Sequence, residues 1–131
     1  MNLDLLARRL SLVAGLMDFT TGLALVVLPA PTLGMMLVPV PGPEALVFVR
    51  FVGAFVAAVG ACYLWALRRP VERLRVVLGA TCLFRVAAGT FCLVAVCSGW
   101  LGAGWLSVVA TDYLLVAVQT WLVAKGACRD S

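Results

Sequence analysis

Four apolar runs of about twenty residues, each interrupted by one charged residue, constrain this chain more than any other feature. They lie at about 10–29, 45–67, 76–97 and 103–124, with Asp18, Arg50, Arg85 and Asp112 as the lone charges. A helix of roughly 20 residues crosses a hydrocarbon core. Leu, Val, Ala and Gly fill every run, and no period-2 alternation persists as a barrel strand requires. The runs read as helices. Hydrophobic residues make up 64% of the chain and charged ones 12%, whereas a soluble domain has roughly 45–50% and 25%. A soluble enzyme, a disordered chain and a secreted disulfide scaffold are therefore excluded. The expected fold is an all-α integral membrane protein, a single domain over 1–131 forming a four-transmembrane-helix up-down bundle.

The loops predict its direction. Arg8, Arg9, Arg68, Arg69, Arg73, Arg75, Lys125 and Arg129 flank the apolar runs. The 30–44 connection holds no basic residue, and 98–102 holds no charge. The positive-inside rule places both termini in the cytoplasm. Pro70 is expected to end the second helix. Trp100 and Trp105 fall at the outer interface and Trp65 and Trp121 at the inner one. The net charge of +4 does not imply nucleic acid, because the basic residues form no continuous face with interleaved aromatics. Asp18 interrupts the first run, which reads as an uncleaved helix and not as a signal peptide.

The connection 30–44 is expected to be irregular, because Pro31, Pro39, Pro41 and Pro43 preclude regular helix across it. Its apolar part reads as a lip in the outer interface. Leu33, Met35, Met36 and Leu37 then touch lipid or a partner, or else pack over the protein's own helices.

Charged residues inside a membrane helix cost about 2.5–3.5 kcal/mol each on insertion scales and normally face a partner. Counting the helical rise from the flanking basic residues puts Asp18, Arg85 and Asp112 at roughly 13, 15 and 19 Å depth, and Arg50 near roughly 27 Å. The first three share a layer. The simplest pairing is Asp18 with Arg85 and Asp112 with Arg50, although Arg50 can also snorkel outward. Thr20, Thr21, Thr81, Thr111, Gln119 and Thr120 add hydrogen-bonding groups. Gly15 and Gly22 accompany Asp18 at helical spacing, Gly53 and Gly60 follow Arg50, and Gly89 follows Arg85. Such residues let helix backbones approach in lipid. The set serves either as a clamp that fixes helix order and register, or as a proton relay or an anionic-ligand site.

The chain has no His, which excludes bis-histidine haem, the usual zinc and copper sites, and triads with a histidine base. It has no Gly-rich phosphate loop. Of five cysteines no two form C-x-x-C, and lipid-buried thiols are inert, leaving Cys97 as the one placed for oxidation. No catalytic residues, metal site or cofactor are expected.

Arg50-Phe-Val-Gly53 opening the second helix, Arg85-Val-Ala-Ala-Gly89 in the third and Asp112 in the fourth resemble the DoxX-like group of small bacterial four-helix membrane proteins. The resemblance implies a bacterial inner-membrane protein, in a group where some members look like membrane subunits of quinone-linked oxidoreductases. The leading expectation is a non-catalytic accessory subunit, with the bilayer and other membrane proteins as partners. The alternatives are a small proton-coupled carrier using Asp18 and Asp112, or a lipid- or quinone-binding protein walled by Trp105, Tyr113 and Phe84.

Overall fold

The computed structural model describes residues 2–68 and 71–129. In chain order it contains α1 (Leu3–Val27), a short α2 (Pro29–Met35), α3 (Pro43–Ala66), α4 (Val71–Cys97), a 3-10 turn (Ala103–Trp105) and α5 (Leu106–Ala124). Among the described residues there is no strand. Four helical segments are long and apolar enough to cross a membrane: α1, α3, α4 and Ala103–Ala124. The expectation for Pro70 lies outside the described residues.

Local chemistry sets the helix limits. Asn2 caps α1, its side-chain oxygen accepting from the Leu5 amide at 3.1 Å, so the helix starts seven residues before the apolar run. Pro29 cannot continue α1, and Leu28 leaves the helical conformation.

The connection that follows is not irregular throughout. Pro29 begins α2 and Pro31 sits within its first turn, where no backbone donor is needed, so prolines start this helix instead of preventing it. The segment ends at Leu37, which takes a left-handed φ of 59° while its amide reaches Gly34 and that of Val38 reaches Leu33. Pro43 then opens α3 at its first position.

The helices pack in two pairs, α1 with α3 and α4 with α5. Glycines bring α1 and α3 together. A Cβ on Gly15 would stand 2.9 Å from the Tyr63 Cβ, and one on Gly22 would stand 2.6 Å from the Gly53 carbonyl and nearer still to the Ala57 amide. On the facing helix, a Cβ on Gly60 would stand 2.7 Å from the Gly15 carbonyl and one on Gly53 2.8 Å from that of Gly22. Backbone meets backbone, which only glycine permits. Gly89 has a looser role, its Cβ position lying 3.2 Å from the Tyr113 ring.

Three arginines, two flanking the apolar runs and one within the second, cap neighbouring helices. Arg50 of α3 donates to the carbonyls of Val26 and Val27 at the end of α1. Arg8 of α1 donates to the Leu67 carbonyl beyond α3, at 3.5 Å. Arg75 of α4 donates to Val123 and Ala127 at the end of α5, at 3.4 and 3.2 Å. The last carbonyls of a helix lack intrahelical partners and carry negative partial charge, so a guanidinium suits them.

The buried residues fall into two clusters. Ala7, Ala14, Tyr63, Ala66, Leu74, Val77, Leu78, Leu122, Ala127 and Cys128 form one, and Leu25, Leu33 and Val38 form the other, with Met36 and Trp105 packed on it. The tail beyond α5 belongs to the first cluster, because the Cys128 amide donates to Asp4 at 2.7 Å. Burial pushes the Cys128 thiol up from its ordinary range, and the nearby Asp4 carboxylate adds to this.

The lip is only partly a lip. Leu33 is fully buried and Met36 faces inward, whereas Met35 and Leu37 are 87% and 84% exposed. The two-turn helix α2 has an inner face, and Leu33 and its C-cap Met36 lie on that side three residues apart. Leu33 and Met36 are thus internal packing residues and not surface contacts.

Candidate functional site: an Asp–Arg–Asp floor under an apolar cavity

Between the two core clusters the bundle is polar. Asp18 comes from α1, Arg85 from α4 and Asp112 from α5, each on the buried face of its helix. Thr81, Arg85, Gly89 and Cys92 share the buried face of α4, as their helical spacing predicts. Arg85 binds both carboxylates: its Nη2 reaches Asp18 Oδ2 at 2.5 Å and its Nη1 reaches Asp112 Oδ1 at 2.7 Å. The expected Asp18–Arg85 pair is present. The expected Asp112–Arg50 pair is not. Arg85 has replaced Arg50 as partner because α3 packs on α1, and its glycine face directs Arg50 to the end of α1, away from α5.

A third donor of Arg85 is also engaged. Its Nε donates to the Tyr63 hydroxyl at 3.3 Å, and its guanidinium lies 5.7 Å from the Tyr63 ring centroid. Gln119 of α5 donates its amide to the same hydroxyl. The Gln119 carbonyl accepts from Cys82 at 3.1 Å and lies 3.5 Å from the Thr81 hydroxyl. All four long helices therefore meet in one hydrogen-bonded network. Three charges at this depth persist because each has a partner with good geometry.

Tyr63 is the residue that sequence reasoning missed. It is fully buried and stands one turn beyond Gly60 on the face that meets α1. A single Tyr at helical spacing from a glycine face was the available signal, since a buried hydroxyl requires a partner. Of the other polar residues singled out, Thr20 and Thr111 bond to carbonyls of their own helices. Only Thr81 and Gln119 join the network fully, with Thr120 at its edge, 3.9 Å from Cys82.

Above the triad lies a cavity of about 480 Å³. Asp18, Arg85 and Asp112 form its floor, and Phe51, Phe55, Phe84 and Trp105 stand among its largely apolar walls. Met17, Thr21, Cys92 and Thr111 also line it. The second oxygen of each carboxylate accepts no hydrogen bond, yet Ser11 is the one wholly buried side-chain polar group without a partner among the described residues. Those two oxygens therefore open onto the cavity. Phe84 and Trp105 are walls, as expected. Tyr113 is not, and its hydroxyl instead lies 2.8 Å from that of Thr90.

The cysteines are unpaired, with Cys62 and Cys97 exposed and Cys92 and Cys128 buried. Cys128, in the tail beyond α5, is inside the protein because the tail folds back onto α1.

The fold and site together define a helical protein with four potential membrane spans around a charged, partly open interior. The chain matches no family model, no curated protein and no solved structure.

Proposed function

We propose that this protein binds one small lipid-soluble molecule within the bilayer, in the cavity above Asp18, Arg85 and Asp112. The observation that carries the reading is the combination of apolar walls with two carboxylate oxygens left open at the floor. A ligand site is typically a mostly apolar hollow of about 300–1,000 Å³ with a few converging polar groups. A clamp whose only role was structural needs no such hollow beside it, since close packing strengthens helix association.

In this reading the chain is a multi-pass protein of a bacterial inner membrane, its helices alternating up and down and both termini cytoplasmic. The basic residues at 8–9, 68–75 and 125–129 support that orientation. Membership of the DoxX-like group is part of the proposal, carried by Arg50–Gly53, Arg85–Gly89 and Asp112.

The test is ligand-induced stabilisation of the purified chain by a panel of cationic, neutral and anionic lipophiles. A ligand at a hundred times its Kd stabilises by about 2.7 kcal/mol. At least one class is expected to stabilise the protein and to lose its effect in Ala88→Phe, which fills the cavity. Equal stabilisation of both forms, or none by any class, overturns the reading.

The accessory-subunit reading is favoured by one observation, the exposure of Met35 and Leu37 at the end of α2. It predicts a stoichiometric membrane partner after extraction in mild detergent, and a chain that purifies alone counts against it.

A further inference from the structure

The charges at the cavity floor do not balance. Asp18 and Asp112 bring two negative charges, and Arg85 alone opposes them. Arg50, the other arginine within the four apolar runs, is engaged with the carbonyls that end α1 and does not line the cavity. From α3 the triad is faced by the Tyr63 hydroxyl, which already receives hydrogen bonds from Arg85 and Gln119. From α4 Cys92 also lines the space, and no other charged or titratable side chain does. With both carboxylates ionised, one negative charge would stand unpaired in a site of low dielectric, which is costly. Two things can neutralise it: a proton on the carboxylates, or a positive charge entering the cavity.

We infer that the cavity takes a lipophilic cation in exchange for one proton held by the Asp18–Asp112 pair, an inference that rests on the cavity reading above. Without ligand, one proton, Arg85 and two carboxylates sum to zero. With ligand, the cation takes the place of the proton, which leaves to water, and the sum is again zero. The geometry suits a cation in two further respects. The open oxygens of Asp18 and Asp112 are acceptors facing the space, and the guanidinium donors point to the carboxylates and to Tyr63. Phe51, Phe55, Phe84 and Trp105 line the space, and aromatic rings of this kind attract a cation once it is out of water. An anion cannot take the place of the proton and would add an unpaired charge to a balanced floor, and a neutral molecule would gain apolar burial alone.

The test uses the full chain in a neutral detergent and three probes of similar shape. Tetraphenylphosphonium is a cation whose charge does not titrate, tetraphenylborate is its anionic counterpart, and triphenylphosphine oxide is neutral. Binding is measured at a series of pH values, with proton release followed in weakly buffered solution. Phosphonium is expected to bind most tightly, releasing one proton, its affinity rising about tenfold per pH unit while the site is protonated. Asp18→Asn and Asp112→Asn are each expected to weaken it at least about tenfold and to remove its pH dependence, since either leaves the floor neutral. Should one variant fail to fold, the other and the charge selectivity of the unaltered protein decide the matter. Equal binding of phosphonium and phosphine oxide without proton release overturns the cation inference while leaving the cavity reading intact. Tighter binding of the borate also overturns it. Failure of all three probes to bind removes both.

Discussion

Two seams hold this bundle together by different physics. Between α1 and α3 four glycines bring backbone against backbone, and the arginines at either end cap each other's helices. Between that pair and α4–α5 an apolar cluster packs one part of the seam. Beside it Arg85 joins the pairs, with Asp18 on one side and Asp112 on its own pair's side, next to the Gln119–Tyr63 bond. The first seam is close-packed and has no space for a ligand. The second is spanned by charge, so the helices can stand apart and a cavity of about 480 Å³ survives beside the triad. Dispersion falls away within an ångström of separation, whereas an ion pair in low dielectric holds across a gap that packing does not fill. The open space in this bundle therefore lies along its electrostatic seam.

Breaking the first seam has the largest expected effect. Gly22→Val places side-chain atoms on the Gly53 carbonyl and the Ala57 backbone, neither of which can move without separating the helices. The cost expected is about 3 kcal/mol or more, with little folded protein recovered in detergent. Gly89→Ala is the control, because its neighbours are side-chain atoms of Tyr113 and Asp112 at 3.2 and 3.3 Å and no backbone, and its cost is expected to stay below about 1 kcal/mol. Similar losses at the two positions would dissolve the contrast between a backbone seam and an ordinary packing contact.

The second seam comes next. Arg85→Leu strands two carboxylates and is expected to destabilise by about 3–5 kcal/mol in a detergent unfolding titration. Adding Asp18→Asn and Asp112→Asn to Arg85→Leu should restore much of that loss, because the damage comes from the unpaired charges more than from the missing bridge. No recovery in the triple variant would mean that the guanidinium acts chiefly through its shape.

Tyr63 touches both seams, and its substitution has the smallest effect of the three. Tyr63→Phe keeps the ring against Gly15 and removes the acceptor shared by Arg85 and Gln119. A loss of about 1–2 kcal/mol is expected. A loss near zero would show that Arg85 and Gln119 find other partners, and that the two seams are independent.

Much of this was legible before the fold was known, and the reason lies in fixed helical geometry. The rise per residue placed Asp18, Arg85 and Asp112 in one layer, and the spacing of Gly15, Gly22, Gly53 and Gly60 marked faces for close approach. The same count put Arg50 well away from Asp112, yet a charge balance of two pairs was preferred, and that preference failed. The proline-rich connection was also read too simply. Pro31 reads as a helix breaker, whereas its position just after a helix end makes it, with Pro29, a helix starter.

Composition and periodicity by themselves determined the spans, the layer of charge and the small-residue faces, because each depends only on residues a few positions apart on one helix. Which helix lies beside which is a property of the whole bundle, and the tertiary structure alone decided it. From the pairing of α1 with α3 follow the loss of Arg50 to a helix end and the double engagement of Arg85. The burial of Tyr63 and the open cavity follow from it as well. Those features join residues 22 to 67 positions apart, and over such separations local pattern carries no record of contact.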